Sequence, residues 1–151
     1  MKYVDNYLDK QLLQRIKNDI CDQQTTSWFC IKDVSGRAIE KDCYFTHMLF
    51  ETYMNEDNLL YEPEEPCSPK YWIADVLKKA IGAEHLIRVK ANLYPRTDNL
   101  VSHTPHKDYT FDHKAALLSL NTCDGHTNVD GTEVASVKNR MLFFDPQVMH
   151  N

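Results

Sequence analysis

The sequence predicts an α+β fold in which packing helices come first and a small barrel or sandwich of short strands follows. Three observations predict it. Apolar residues recur at helical spacing near the N terminus and again between residues 69 and 82, the period changes to two from residue 86, and turn signals then separate several short apolar runs. The 151 residues suit one domain, 1–151, with helical and irregular support over 1–85 and the β-rich core over 86–151.

Each element has its own justification. Leu8, Leu12, Leu13, Ile16 and Ile20 fall on one helical face, which predicts a first packing helix. For the second helix, Ser68 is the expected cap, with Pro69 at the first helical position. Trp72, Val76, Leu77 and Ala80 share its face, and Gly82 closes it in a left-handed turn, so that it braces a sheet. Between them, Tyr61 to Pro69 carries Pro63, Pro66 and Pro69 with Glu62, Glu64 and Glu65, an exposed loop. Ile87, Val89, Ala91 and Leu93 then alternate with Arg88, Lys90, Asn92 and Tyr94, a strand with one apolar face and one face able to hold an anion. Further strands are expected at 115–121, 132–137 and 139–145, with turns at Asp124-Gly125, Asp130-Gly131 and Asp145-Pro146.

Composition removes several function classes. Seventeen Lys and Arg against 22 Asp and Glu, with no basic run longer than a pair, argue against nucleic acid as a partner. The longest apolar runs, such as 115–118 and 141–144, fall far short of the ~20 residues of a bilayer span, so no membrane association is expected. No apolar stretch follows Met1, so a cytoplasmic protein is expected. The cysteines at 21, 30, 43, 67 and 123 are odd in number and contain no C-x-x-C, which fits reduced thiols.

Among seven histidines, only His106 has a carboxylate two residues on, in His106-Lys107-Asp108. In an extended segment residues i and i+2 point the same way, so the pair could hold one metal ion from one side. One more histidine would complete a two-histidine, one-carboxylate face, and His150, after the turn at Pro146, is the candidate. Alone, an H-x-D is equally an exposed loop pair. His103, His113 and His126 lack a partner at ligand spacing and read as polar loop or rim residues. Tyr3, Tyr7, Trp28, Phe29 and Phe45 could wall a barrel mouth, although packing alone explains them.

The run from Leu86 to Arg96, then His106-Lys107-Asp108, Leu120-Asn121, Asp124-Gly125-His126-Thr127, Asp130-Gly131-Thr132, and Asn139 to Asp145 before His150, resembles the 2-oxoglutarate and Fe(II)-dependent oxygenases. Within these it is similar to the prolyl-hydroxylase-like branch, especially the compact members often found in tailed-phage genomes. The resemblance covers residues 86–151 closely and the N-terminal helix and Trp28-Phe29 more loosely.

That resemblance implies a jelly-roll core, the cupin-like double-stranded β-helix, with His106, Asp108 and His150 as iron ligands. It implies Fe(II), 2-oxoglutarate as co-substrate and O2, and hydroxylation of an unidentified substrate, by analogy a protein or peptide prolyl residue, with release of succinate and CO2. Tyr94 matches a tyrosine that hydrogen-bonds the co-substrate's distal carboxylate, and Asn92 shares its strand face; Ser119 stands where some relatives carry a second such tyrosine. Arg140 and Asp145 match positions that frame the strand leading to His150 and read as structural. In the family an arginine or lysine on a later central strand clamps that carboxylate. The resemblance therefore implies an incomplete jelly roll, a fragment ending before that strand. Arg88, Lys90 or Arg96 could substitute as the clamp or be surface cations. The alternative to an enzyme is a non-catalytic metal-binding jelly-roll module or an inactive truncated remnant. Substrate and oligomeric state are not encoded in any motif here.

Overall fold

A computed structural model describes residues 1–22, 24–31, 43–54, 60–61 and 66–151. Among these the chain is mixed α+β, with two helices and antiparallel pairing wherever register is defined. Strands β1 (Lys2–Val4), β2 (Phe29–Ile31), β3 (Tyr44–Glu51), β4 (Tyr53–Met54), β5 (Leu60–Tyr61), β6 (Arg88–Leu93), β7 (Ala115–Leu118), β8 (His126–Val129), β9 (Thr132–Ala135) and β10 (Met141–Phe144) accompany helices α1 (Lys10–Cys21) and α2 (Trp72–Ile81). They form sheets of order β1-β10-β7 and β2-β3-β6 and the pairs β4-β5 and β8-β9. No helix among the described residues is long and apolar enough to cross a membrane.

The chain divides into two compact units. One gathers Met1–Gln14 and Pro95–Asn151, the other Arg15–Cys30 and Tyr44–Tyr94. In the first, β10 is the central strand, with Leu142 opposite both Tyr3 and Leu117. Its consecutive residues Met141 and Leu142 are both buried, as expected of a strand covered on two sides. Leu142 packs with Val129 and Val134, and Phe144 and Val148 close on that cluster. The β8-β9 hairpin turns on Asp130 and Gly131, with φ of 51° and 80°. Two central residues at positive φ make the tight turn whose twist suits a hairpin, which is what the Asp-Gly pair signals in sequence.

Asn139 ties the N-terminal segment to this unit. It is buried at φ 65°, its Oδ1 accepts the Leu8 amide at 2.9 Å, and its Nδ2 donates to the Leu8 carbonyl at 2.8 Å. It therefore belongs to a turn, and the strand expected from 139 begins at Met141. The expected strands 115–121 and 132–137 likewise stop at Leu118 and Ala135; next to them the Arg140 amide turns to the Val137 carbonyl and the Cys123 amide to that of Ser136.

Helix α1 starts later than Leu8. Asp9 caps it, its Oδ1 accepting the amides of Gln11 and Leu12 at 2.8 and 3.2 Å. Leu8 and Leu13 then occupy the positions before the cap and one turn into the helix, and both are buried, as in a hydrophobic staple. Ile16 and Ile20 continue the buried stripe, while Leu12 stays partly exposed.

In the second unit β3 is central, and it was not expected, since the first half reads as helical with irregular connections. Its register against β6 shifts between Met48 and Phe50, so Leu49 is an extra residue and both Leu49 and Phe50 are buried. The bulge breaks the alternation by which a strand is recognised. Helix α2 packs on β3, with the Phe50 and Tyr71 rings 5.7 Å apart.

Its start corrects the expected cap. The helix begins at Trp72, after a turn in which Ser68 Oγ accepts the Lys70 amide at 3.1 Å, and no side chain caps it. The residues it buries fully are Ile73 and Ala74, whereas Ala80 is exposed. Its C terminus is as expected. Gly82 lies at φ 69°, its amide reaches the Lys79 carbonyl, and the Ala83 amide reaches that of Lys78, a Schellman pair. Pro66 and Cys67 of the expected loop are exposed; Glu62, Pro63, Glu64 and Glu65 lie outside the described residues.

Candidate metal centre

His106, Asp108 and His150 come together in the first unit. Each offers one ligand atom, and these atoms all lie within 4.8 Å of one another. Backbone pairing builds the cluster. The His106 amide donates to the His150 carbonyl at 2.9 Å and the His150 amide returns the bond at 3.0 Å. On its other side the same segment pairs with β8, through Asn151 and Asn128 at 3.0 and 3.1 Å and through the Asp130 amide on Met149. The Asp108 amide reaches the Pro146 carbonyl at 3.2 Å, so the carboxylate is set by the turn that leads to His150. That turn is the Asp-Pro signal of the sequence, closed by the Val148 amide on the Asp145 carbonyl and the Gln147 amide on Asp145 Oδ1.

Side-chain geometry then selects the atoms. His150 Nδ1 lies 2.9 Å from the Val148 carbonyl and His106 Nδ1 lies 3.2 Å from that of Thr104. A carbonyl accepts only, so each Nδ1 carries the proton and the ring lone pair lies on Nε2. His150 Nε2 is 3.8 Å from Asp108 Oδ2, and the two imidazole rings are 4.7 Å apart. The Phe144 ring stands edge-on to His150 at 5.0 Å and fixes its plane. His150 is buried, His106 and Asp108 partly so.

Two imidazole nitrogens and one carboxylate oxygen, with tautomers already set, are a donor set suited to a divalent first-row metal. Three protein donors leave further coordination positions for other molecules.

The co-substrate candidates Asn92 and Tyr94 lie in the second unit. Asn92 and Tyr94 sit together at the end of β6, with Asn92 Nδ2 donating to the Tyr94 hydroxyl at 3.4 Å and Thr46 Oγ1 reaching Asn92 Oδ1 at 3.4 Å. Tyr94 stacks on Tyr44 at 5.3 Å, with the planes 22° apart. Crowding around its hydroxyl pushes the phenol above its usual 10.0, and Tyr44 adds to this, against the Asn92 bond; the residue as a whole is 55% exposed. Tyr94 therefore keeps its proton at neutral pH and can donate it. Lys90 Nζ lies 6.0 Å from the Tyr44 ring.

Arg140 binds Asp5 with two bonds, at 2.6 and 2.9 Å, and lies over the Tyr3 ring. The carbonyls of Thr104 and Val148 and the Phe144 ring were not foreseen as parts of the cluster. Phe144 carried a signal, its place at the end of the strand before His150; backbone carbonyls carry none. No family model, curated protein or solved structure matches the chain.

Proposed function

We propose that the chain is an Fe(II)- and 2-oxoglutarate-dependent dioxygenase with a jelly-roll core, which hydroxylates a protein or peptide substrate, by analogy a prolyl residue, in a reducing cytoplasmic setting. The observation that carries the reading is the convergence of His106, Asp108 and His150, with both imidazoles locked in the tautomer that presents Nε2. It is the donor set that the ordered motifs of residues 86–151 imply.

In this reading those three residues hold the ion from one side. Bound Fe(II) supplies activation of O2 coupled to oxidative decarboxylation of 2-oxoglutarate to succinate and carbon dioxide. The Thr104 and Val148 carbonyls keep the imidazoles oriented, and the Phe144 ring stands against His150. Tyr94 remains the residue that the resemblance assigns to a hydrogen bond with the co-substrate's distal carboxylate, and Asn92 Nδ2 donates to its hydroxyl.

The test is anaerobic loading with Fe(II), then addition of 2-oxoglutarate and air, with succinate and carbon dioxide measured against His106→Ala. Succinate that depends on Fe(II) and is lost in the variant supports the oxygenase. Equal succinate in both proteins sinks it, and metal binding without any succinate makes the chain a non-catalytic metal-binding module.

A further inference from the structure

A third histidine of the first unit repeats the local arrangement of the two cluster imidazoles. His113 Nδ1 lies 2.8 Å from the Phe111 carbonyl, two residues back, as His106 does with Thr104 and His150 with Val148. The proton is again on Nδ1 and the lone pair on Nε2. His113 Nε2, however, is buried and has no hydrogen-bond partner. A buried acceptor left in that state is unfavourable and calls for a cause.

Its surroundings supply one. Tyr109 and Phe111 stack at 5.1 Å, and each ring also meets His113, both at 5.4 Å. This three-ring box begins on the residue after Asp108. Gln147 Nε2 donates to the Phe111 carbonyl at 2.8 Å, which fastens the box to the turn before His150. The box and the metal cluster thus hang on the same turn, Asp145–Val148.

We propose that His113, boxed by Tyr109 and Phe111, is a peptide-recognition subsite whose Nε2 accepts a hydrogen bond from a substrate amide N–H. This rests on the dioxygenase reading for its placement beside the reacting group and names the substrate as a polypeptide. The aromatic rings give the peptide an apolar wall, and the single acceptor reads a donor. An amide enters by displacing a ring edge, which exchanges an unmet acceptor for a met one. A ligand without the donor gains nothing at this acceptor, so one that carries an N–H is preferred by the bond it makes.

The experiment uses the full chain, metal-free, labelled with 15N-histidine, and two small amides as probes. N-methylacetamide has the N–H; N,N-dimethylacetamide has the same carbonyl without it. N-methylacetamide should move the His113 Nε2 resonance saturably while N,N-dimethylacetamide does not. The apparent affinity, followed on the Tyr109 and Phe111 ring signals, should fall about threefold to tenfold in His113→Phe and be kept in His113→Gln, whose side-chain oxygen stands in for Nε2. Equal shifts with both amides, no shift at His113, or undiminished affinity in His113→Phe would overturn the proposal. If His113→Phe does not fold, the two-amide comparison in the parent protein decides alone. Metal and turnover do not enter this measurement, so failure of the dioxygenase assay leaves its outcome separate.

Discussion

His47 and His150 are almost equally buried, at 6% and 7% exposure, yet their surroundings assign them opposite roles. In the second unit His47 Nδ1 donates to the Ser27 carbonyl at 2.8 Å and Nε2 accepts the Ser68 hydroxyl at 2.8 Å, with Trp28 edge-on to the ring. Both nitrogens are consumed by the fold. In the first unit His150 commits only Nδ1, to Val148, and its Nε2 faces a carboxylate oxygen too distant, at 3.8 Å, for a hydrogen bond. Burial alone does not separate a structural imidazole from one available for ligation. The number of nitrogens already hydrogen-bonded does.

The sharpest way to break this comparison is to remove the shared carboxylate. Asp108→Ala should weaken Fe(II) or Mn(II) binding, followed by anaerobic calorimetry, by at least about a hundredfold, since losing a ligand exceeds the loss of its supporting contacts. Unchanged affinity would place any metal elsewhere.

Ser68→Ala is the reciprocal change and should leave metal affinity alone. It strips His47 Nε2 and the Lys70 amide of their partner in a buried place and should cost about 1–3 kcal/mol in urea unfolding. A drop in metal binding without loss of stability would erase the distinction between the two histidines.

The smallest effect comes from Asp5, a carboxylate paired with the Arg140 cation. The hydrogen bond from Arg140 holds its carboxyl below the usual 3.8, and the charge of Arg140 adds to this against desolvation. Since the folded-state value is depressed, the stabilisation is present above pH 3.8 and is lost as pH falls through the lower folded value. Arg140→Gln should therefore lower the thermal midpoint slightly at pH 6. The difference should narrow toward pH 3, and salt should shrink it, as the pair is exposed.

What the sequence reveals of this molecule follows from the range of the interaction concerned. The His106-Lys107-Asp108 spacing, the Asp130-Gly131 hairpin and the Gly82 stop are encoded within a few residues and are readable from them. β3 escapes because the bulge at Leu49 disrupts its period, and β1 because three residues carry no period at all. The Ser68 cap fails for a different reason. Its oxygen does accept an amide, that of Lys70, but the Tyr71 amide closes a short turn on the Ser68 carbonyl and the helix begins only after it. Likewise the tautomers of the cluster depend on carbonyls two residues back, whose direction is a property of backbone shape and not of residue type.

The pairing of His150 on both sides has a consequence for how the gene can vary. In an extended, doubly paired segment the face on which a side chain emerges is a matter of parity. Between Met149 and Asn151, where the segment is paired on both sides, one inserted codon would send the imidazole to the opposite face with every amino acid of the cluster still encoded. A second inserted codon would restore its direction. For this part of the protein, reading-length is inherited more strictly than composition.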